Sequence, residues 1–300
     1  MPEETRTDAS HQGTGRPAFP APPAVRGPSV TASRPAGAAR PPCQEVHMSL
    51  ATIDLCRVAP WAGLLGEADQ ALLRRVLRER HVKAGGHIGF RGDPVTHWVG
   101  VAEGLVQLSV GSDDGRISAL GHVARGEWFD ECALLRGTAR RYDAIALRDS
   151  RLLLLPDEVF HELLRTRPAF NHYVLAMMAV RAEAALDALE GDRLHDCEVR
   201  VARCLAALID PDLHPGAVQV VRLTHGEIGL LSGVSRQRTN CALHSLARRG
   251  LVRMNRHCVR VLDAHGLRRF AGLPQKPALQ PVRPVMVPAM DYRELRYATA

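Results

Sequence analysis

Lysine is almost missing from this chain: of 39 basic residues only Lys83 and Lys276 are lysines, and the rest are arginines. We read that as a coding bias of the genome rather than as a functional signal. Cysteine pairs are missing too. The seven cysteines are an odd number and none forms a C-x-x-C pair, which argues against a disulfide framework or a structural zinc site and points to reduced thiols in a cytosol. No uninterrupted apolar run reaches the roughly 18 residues of a membrane-spanning helix. The start of the chain has no apolar core of a secretion signal. Walker A and G-x-G-x-x-G loops are absent as well. The expectation is a soluble, cytoplasmic protein with no membrane partner.

What is present is enough for a folded core and a polyanionic partner. The 300 residues are 46% hydrophobic, room for one large domain or two ordinary ones of about 100–200 residues. The net charge of +7 and pI near 9.3 lean towards polyanions. Proline marks the limits: nine lie in residues 1–47, five in 271–300, and six in the 223 residues between. Segments such as "RPAFPAPPAVRGPSV" have no helical or strand period and read as mobile tails over 1–50 and 271–300. Met48 stands where the first tail meets folded sequence and is an alternative start of translation.

Between the tails the texture changes twice. "GEADQALLRRVLRERHV" places Ala68, Leu72, Val76 and Leu77 at helical spacing. From Lys83 to Leu155 short alternating runs are punctuated by glycine, with hairpins expected at Glu103-Gly104 and Ser112–Gly115, the pattern of a β-sandwich or roll. Helical periodicity returns after Pro156 and is long from Pro168. Leu175, Met178, Ala182, Ala185 and Leu189 follow alternating steps of three and four, a heptad seam. Either this helix lies on its own domain or it meets an identical copy; the small residues favour a parallel homodimer. The fold class expected is α+β, divided at 51–167, 168–194 and 195–270.

"LTHGEIGLLSGVSRQRTNCALHSLARRGLV" carries the sharpest signal. Thr224 and Glu227 make a capping box, and Ile228 and Leu231 are the buried face of that helix. Ser232-Gly233-Val234 is a tight turn in which glycine takes a positive φ. Ser235 caps a second helix with Ala242, Leu243 and Leu246 inward. Arg236, Gln237 and Asn240 then sit near its start and off the apolar face, with donors suited to base edges. "LVRMN" and "CVRVLD" read as two strands of a wing around Arg256-His257. Residues 221–263 hold eight arginines and only two acids, Glu227 and Asp263, which suits phosphate contact. The expected DNA contacts are Thr224, Ser235, Arg236, Gln237, Asn240, His244, Arg248, Arg249 and Arg256, the last three on the backbone. A winged helix that binds protein instead of DNA is the alternative. A catalytic use of His195, Asp196 and Cys197 fails, because adjacent residues on a helix point to different faces.

A glycine-punctuated roll, a long helix and a winged helix-turn-helix, in that order, resemble the Crp/Fnr family of bacterial transcription regulators over residues 57–270. "GEWFDECALLRGTARRYDAIALRDSRLLLLP" is the second stretch that carries the likeness. The resemblance implies a cupin-like, cyclic-nucleotide-binding type roll that senses a signal. It also implies a homodimer on a near-palindromic double-stranded DNA site, with RNA polymerase as a further partner. Glu131 matches the family's ribose-binding glutamate and Arg140 its phosphate-binding arginine. Asp130 stands where glycine is expected and Arg141 where Ser or Thr is expected, which argues against tight cyclic AMP binding. Either Arg140 or Arg141 could neutralise Asp130 by pairing with it. Cys43 and Cys56 are too few and too widely spaced for a local iron–sulfur motif. A haem stays open, with His87, His97 and His122 in or beside the roll, although a lone histidine is more often a surface or core residue.

Overall fold

The computed structural model describes residues 54–214, 218–255 and 258–275. Residues 1–53 and 276–300, and with them most of the predicted tails, Cys43 and Met48, lie outside the described residues, as does Arg256. The folded chain runs a little past the predicted limit at 270: Ala271 is buried and Leu273 packs on the same core.

Helix α1 (Leu55–Val58), a 3-10 turn (Pro60–Leu64) and helix α2 (Glu67–Val76) precede the strands. The inward residues of α2 differ from the expected row. Leu73 is its buried side chain and Val76 packs beside it, with Leu77 just beyond, whereas Ala68 and Leu72 are exposed. The reason is geometric: Leu73, Val76 and Leu77 are spaced i, i+3, i+4 and share one face, and that face meets the sheet.

The roll consists of β1 (Arg78–Val82), β2 (His87–Gly89), β3 (His97–Glu103), β4 (Leu105–Gly111), β5 (Ile117–Ala124) and β6 (Trp128–Phe129), then helix α3 (Glu131–Arg136), β7 (Asp143–Ala146) and β8 (Ser150–Pro156). They form two antiparallel four-stranded sheets, ordered β1-β8-β3-β6 and β2-β7-β4-β5. Ser112–Gly115 is the expected hairpin turn between the paired β4 and β5. Glu103-Gly104 is not a hairpin, since β3 and β4 lie in different sheets. Gly104 turns the chain from one sheet to the other at φ 99°, with the Ser150 backbone so close that a Cβ would fall 2.6 Å from its Cα.

Side chains alternate across a strand, which explains why β8 carries four leucines in a row. Leu152 and Leu154 fill the space between the sheets with Val99, Val101, Val106 and Phe129. Leu153 and Leu155 face the opposite way into a second core of Trp61, Trp98, Trp128, Phe160 and Phe170. The indoles of Trp61, Trp98 and Trp128 lie with centroids 4.8–5.4 Å apart. Gly100 admits this packing, because a Cβ there would come within 2.5 Å of Trp128.

Helix α4 (Asp157–Thr166) and the 27-residue α5 (Pro168–Leu194) follow; Pro168 opens α5, where its missing N–H costs nothing. The C-terminal unit comprises α6 (Cys197–Leu208), β9 (Val220–Val221), α7 (His225–Ser232), α8 (Arg236–Arg248), β10 (Val252–Asn255), β11 (Cys258–Val261) and α9 (Ala264–Phe270). Its core gathers Leu205, Ile228, Leu243, Leu246, Val259 and Leu267. Among the described residues no helix is long and apolar enough to cross a membrane.

Candidate nucleic-acid interface and ligand pocket

The helix-turn-helix forms as its local chemistry dictates. The Thr224 hydroxyl accepts from the Glu227 amide at 3.2 Å, and the Glu227 carboxylate accepts from the Thr224 amide at 2.6 Å. Gly233 ends α7 at φ 62°, and Ser235 caps α8 through the Arg238 amide. Gly229 lets the two helices close: a Cβ there would meet the Val234 carbonyl at 2.6 Å and the Thr239 hydroxyl at 2.8 Å. Ile228, Ala242, Leu243 and Leu246 are buried and Leu231 is partly buried, all as expected.

The outer face of α8 is polar and free of acids. Arg236, Gln237, Asn240, His244 and Arg248 are exposed and fall within one stripe, given 100° of turn per residue. Cys241 shares the stripe, a position that sequence patterning did not single out. Arg238 departs from it, with its guanidinium turned to the Cys197 sulfur on α6. Arg249 stacks over the Phe270 ring, 4.9 Å from its centroid. The wing exists as β10 paired with β11, with β9 completing a three-stranded sheet.

Three arginines tie this unit to the rest of the chain, and none was legible as a site residue. Arg200 donates to the Ser232 and Gly233 carbonyls of the turn and pairs with Asp192 of α5 at 2.6 Å. Buried Arg203 joins the Asp187 carbonyl and Glu190 of α5 to the Ala271 carbonyl. Arg148, between β7 and β8, grips Glu227 with two bonds of 2.8 and 3.1 Å, so the capping-box carboxylate also anchors the roll. Burial works to raise the Glu227 carboxyl, but hydrogen bonds from Arg148 and the Thr224 amide outweigh it and hold it below the ordinary range. His214 reaches back to Glu127 at 2.7 Å. Near this junction His122 of β5 is buried with neither ring nitrogen hydrogen-bonded. Burial, partly countered by Glu227, pushes its pKa down to about 4.

The predicted pocket residues Glu131 and Arg140 are both buried, whereas Arg141 is exposed. Asp130 is 2% exposed and Arg140 8%. Arg140 Nε donates to Asp130 Oδ1 at 3.0 Å, its Nη2 pairs with Oδ2, and the Tyr142 hydroxyl donates to Oδ1 at 2.8 Å. It is therefore Arg140, not Arg141, that neutralises Asp130. The Glu131 carboxylate is held by Arg181 of α5 at 2.6 Å and by the Trp98 indole at 3.4 Å. Arg181 also donates to the Trp128 carbonyl. Its signal in the sequence is a lone cation inside "LAMMAVRAEAA".

The candidate haem ligands lie on strands of both sheets: His87 stacks on Phe90, His97 bonds the Thr96 hydroxyl, and His122 is the junction residue. Cys56 is free and exposed. Among the described residues no three His, Cys, Asp or Glu side chains are grouped to hold a metal ion. On α5, Leu175 is 61% exposed, Leu186 66% and Leu194 72%. Ala182, Ala185 and Leu189 are exposed with them, and Met178 is half-buried on the roll's own core.

Comparison with known proteins agrees with this architecture. A cyclic nucleotide-binding domain model matches residues 79–167, and a Crp-like helix-turn-helix domain model matches 199–270. The chain is 31% identical over 205 residues to the "Cyclic AMP receptor protein" of Thermus thermophilus, covering 68% of this chain and 92% of that one. It is 34% identical over 188 residues to the "Transcriptional regulator LdrP" of the same organism, covering 62% and 92%. The crystal structure of a CRP-family transcriptional regulator from T. thermophilus superposes with a TM-score of 0.51 at 27% identity, covering 66% of this chain and 100% of that one. The chain belongs to the Crp/Fnr family of DNA-binding transcription regulators. These relatives are named as regulators rather than enzymes, and nothing among them supports a winged helix that binds protein instead of DNA.

Proposed function

We propose that this protein is a cytoplasmic homodimer that reads a near-palindromic DNA site and passes occupancy of that site to RNA polymerase. The units are a sensory roll over 51–167, a dimerisation helix over 168–194 and a DNA-reading unit over 195–270. One observation carries the DNA side: an acid-free stripe on α8 that exposes Arg236, Gln237 and Asn240 next to a rigidly capped turn. Arginine fits guanine, and Gln and Asn fit adenine, in the major groove. Thr224, Ser235, Arg248, Arg249 and Arg256 contact the phosphates, and His244 extends the reading face. The two cap hydroxyls accept from backbone amides yet keep a proton to donate. The dimer is supported by the exposed apolar side of α5, which carries Leu175, Ala182, Ala185 and Leu189.

Titration of the protein against specific and random duplexes tests the DNA contacts. Arg236→Ala should cost about 1–3 kcal/mol on the best site and relax its preference at one base pair. Arg248→Ala should weaken all sequences alike and lower the salt slope by about one unit. Equal weakening on every duplex by Arg236→Ala would reassign Arg236 to the backbone.

A further inference from the structure

We propose that the roll's ligand pocket carries its own counter-ion: the Asp130 carboxylate takes the place of an anionic effector on Arg140, so the protein binds its DNA site without a cyclic nucleotide. The proposal rests on the DNA-binding reading above and on the assignment of Arg140 as the phosphate-binding position.

Asp130 is held in a costly conformation. Among the described residues it is the non-glycine residue with a positive φ, at 81°, a region unfavourable for residues that carry a Cβ. Aspartate at a helix N-cap ordinarily accepts from the amides of the first turn. Asp130 stands at the N-cap of α3 and makes no such bond. Its carboxylate turns instead to Arg140 and Tyr142. The strain therefore supports a buried, charge-assisted contact with Arg140.

Arg140 has no slack to serve a second anion. Its guanidinium is wedged against Gly89, where a Cβ would lie 1.6 Å from Nη1. Its carbonyl accepts from the Gly92 amide and its own amide donates to the Asp93 carbonyl. A phosphate on this arginine would share it with a carboxylate of the same charge. The neighbouring anchor is engaged likewise, because Glu131 is paired with Arg181 of α5. That pair links the start of α3 to the long helix with both groups supplied by the chain, so the roll and α5 are joined whether or not a ligand is present.

Calorimetry with cyclic AMP on the full chain tests the proposal without DNA. The wild type should give no saturable binding. Asp130→Gly removes the carboxylate, suits the positive φ and frees Arg140. It should bind cyclic AMP, with a gain of up to about a thousandfold from two like charges about 4 Å apart at an effective dielectric near 20. Asp130→Asn keeps the shape, removes the charge and should gain less; it carries the same comparison if the glycine variant does not fold. Micromolar binding by the wild type overturns the proposal. So does a folded variant that binds no better than wild type. In a second arm, the wild type's affinity for its DNA site should be the same with and without cyclic AMP, and a tenfold rise overturns the proposal. Failure to bind any DNA would count against the regulator reading, while the calorimetry stands on its own.

Discussion

His122 shows how one residue can report on the contact between two units. It is buried in β5 beside α7, in the field of Glu227 and His214 from the C-terminal unit and Arg148 from the roll. Desolvation disfavours its charged form, so the folded protein withholds a proton that the unfolded chain takes up at the ordinary histidine pKa. The unfolded state then binds more protons, and stability must fall as the pH falls. The loss begins near pH 6.5 and is complete near the folded value of about 4, about 3 kcal/mol in all. Denaturant titrations between pH 7 and pH 4 should show this decline, and His122→Leu should flatten it. An unchanged slope in the variant would assign the acid sensitivity to other groups.

The α7–turn–α8 element depends on close backbone approach more than on any single bond. Gly229 faces the Val234 carbonyl and the Thr239 hydroxyl at distances too short for a side chain. Gly229→Ala should therefore force the helices apart and cost about 1–3 kcal/mol, as overpacked sites do. Thr224→Ala, which removes the cap and one proposed phosphate contact but leaves the backbone packing alone, should cost about 1 kcal/mol of stability. Thermal melts and DNA titrations on both variants separate the two effects. The glycine variant should lose most of its DNA affinity along with stability, because the α8 stripe is displaced. The cap variant, at temperatures where it is folded, should lose only the small, sequence-independent share that one phosphate contact carries. Equal DNA affinity in Gly229→Ala would mean that the turn does not set the pose of α8.

In the whole molecule the long helix is the hub. One side of α5 packs on the aromatic core through Phe170 and Val174, and Arg181 pins it to the pocket. Its end binds the DNA-reading unit through Asp187, Glu190 and Asp192. The remaining side exposes Leu175, Ala182, Ala185 and Leu189, the face proposed above to meet a second copy. Ala185→Glu puts a charge within that side, at an exposed position, twice over in a symmetric pair. Sedimentation should show monomers with weak DNA binding, since a half-site alone has lost the partner's contacts. An intact dimer in the variant would move the interface elsewhere.

The helix-turn-helix was legible in the sequence because its determinants are local. A capping box spans four residues, a left-handed turn needs a glycine, and an amphipathic helix repeats every 3.6 residues, so Thr224, Gly233, Ser235 and the outward Arg236, Gln237 and Asn240 could be placed by spacing alone. The roll was legible only as a texture. Period-2 alternation says that strands exist but not which sheet each one joins, and Glu103-Gly104 proved to be a crossing between sheets for that reason. On α2 the spacing picked the inward Val76 and Leu77 but also the exposed Ala68 and Leu72, because the sheet that the helix packs on selects Leu73 instead. The long-range ion pairs were beyond reach altogether. Arg148 meets Glu227 across 79 positions and Arg181 meets Glu131 across 50, and no local period records a contact made by folding. Asp130 lies between these cases: its departure from glycine was visible in sequence, but that its charge is spent on Arg140 rather than Arg141 follows from burial, which draws one guanidinium inward and leaves the other in solvent.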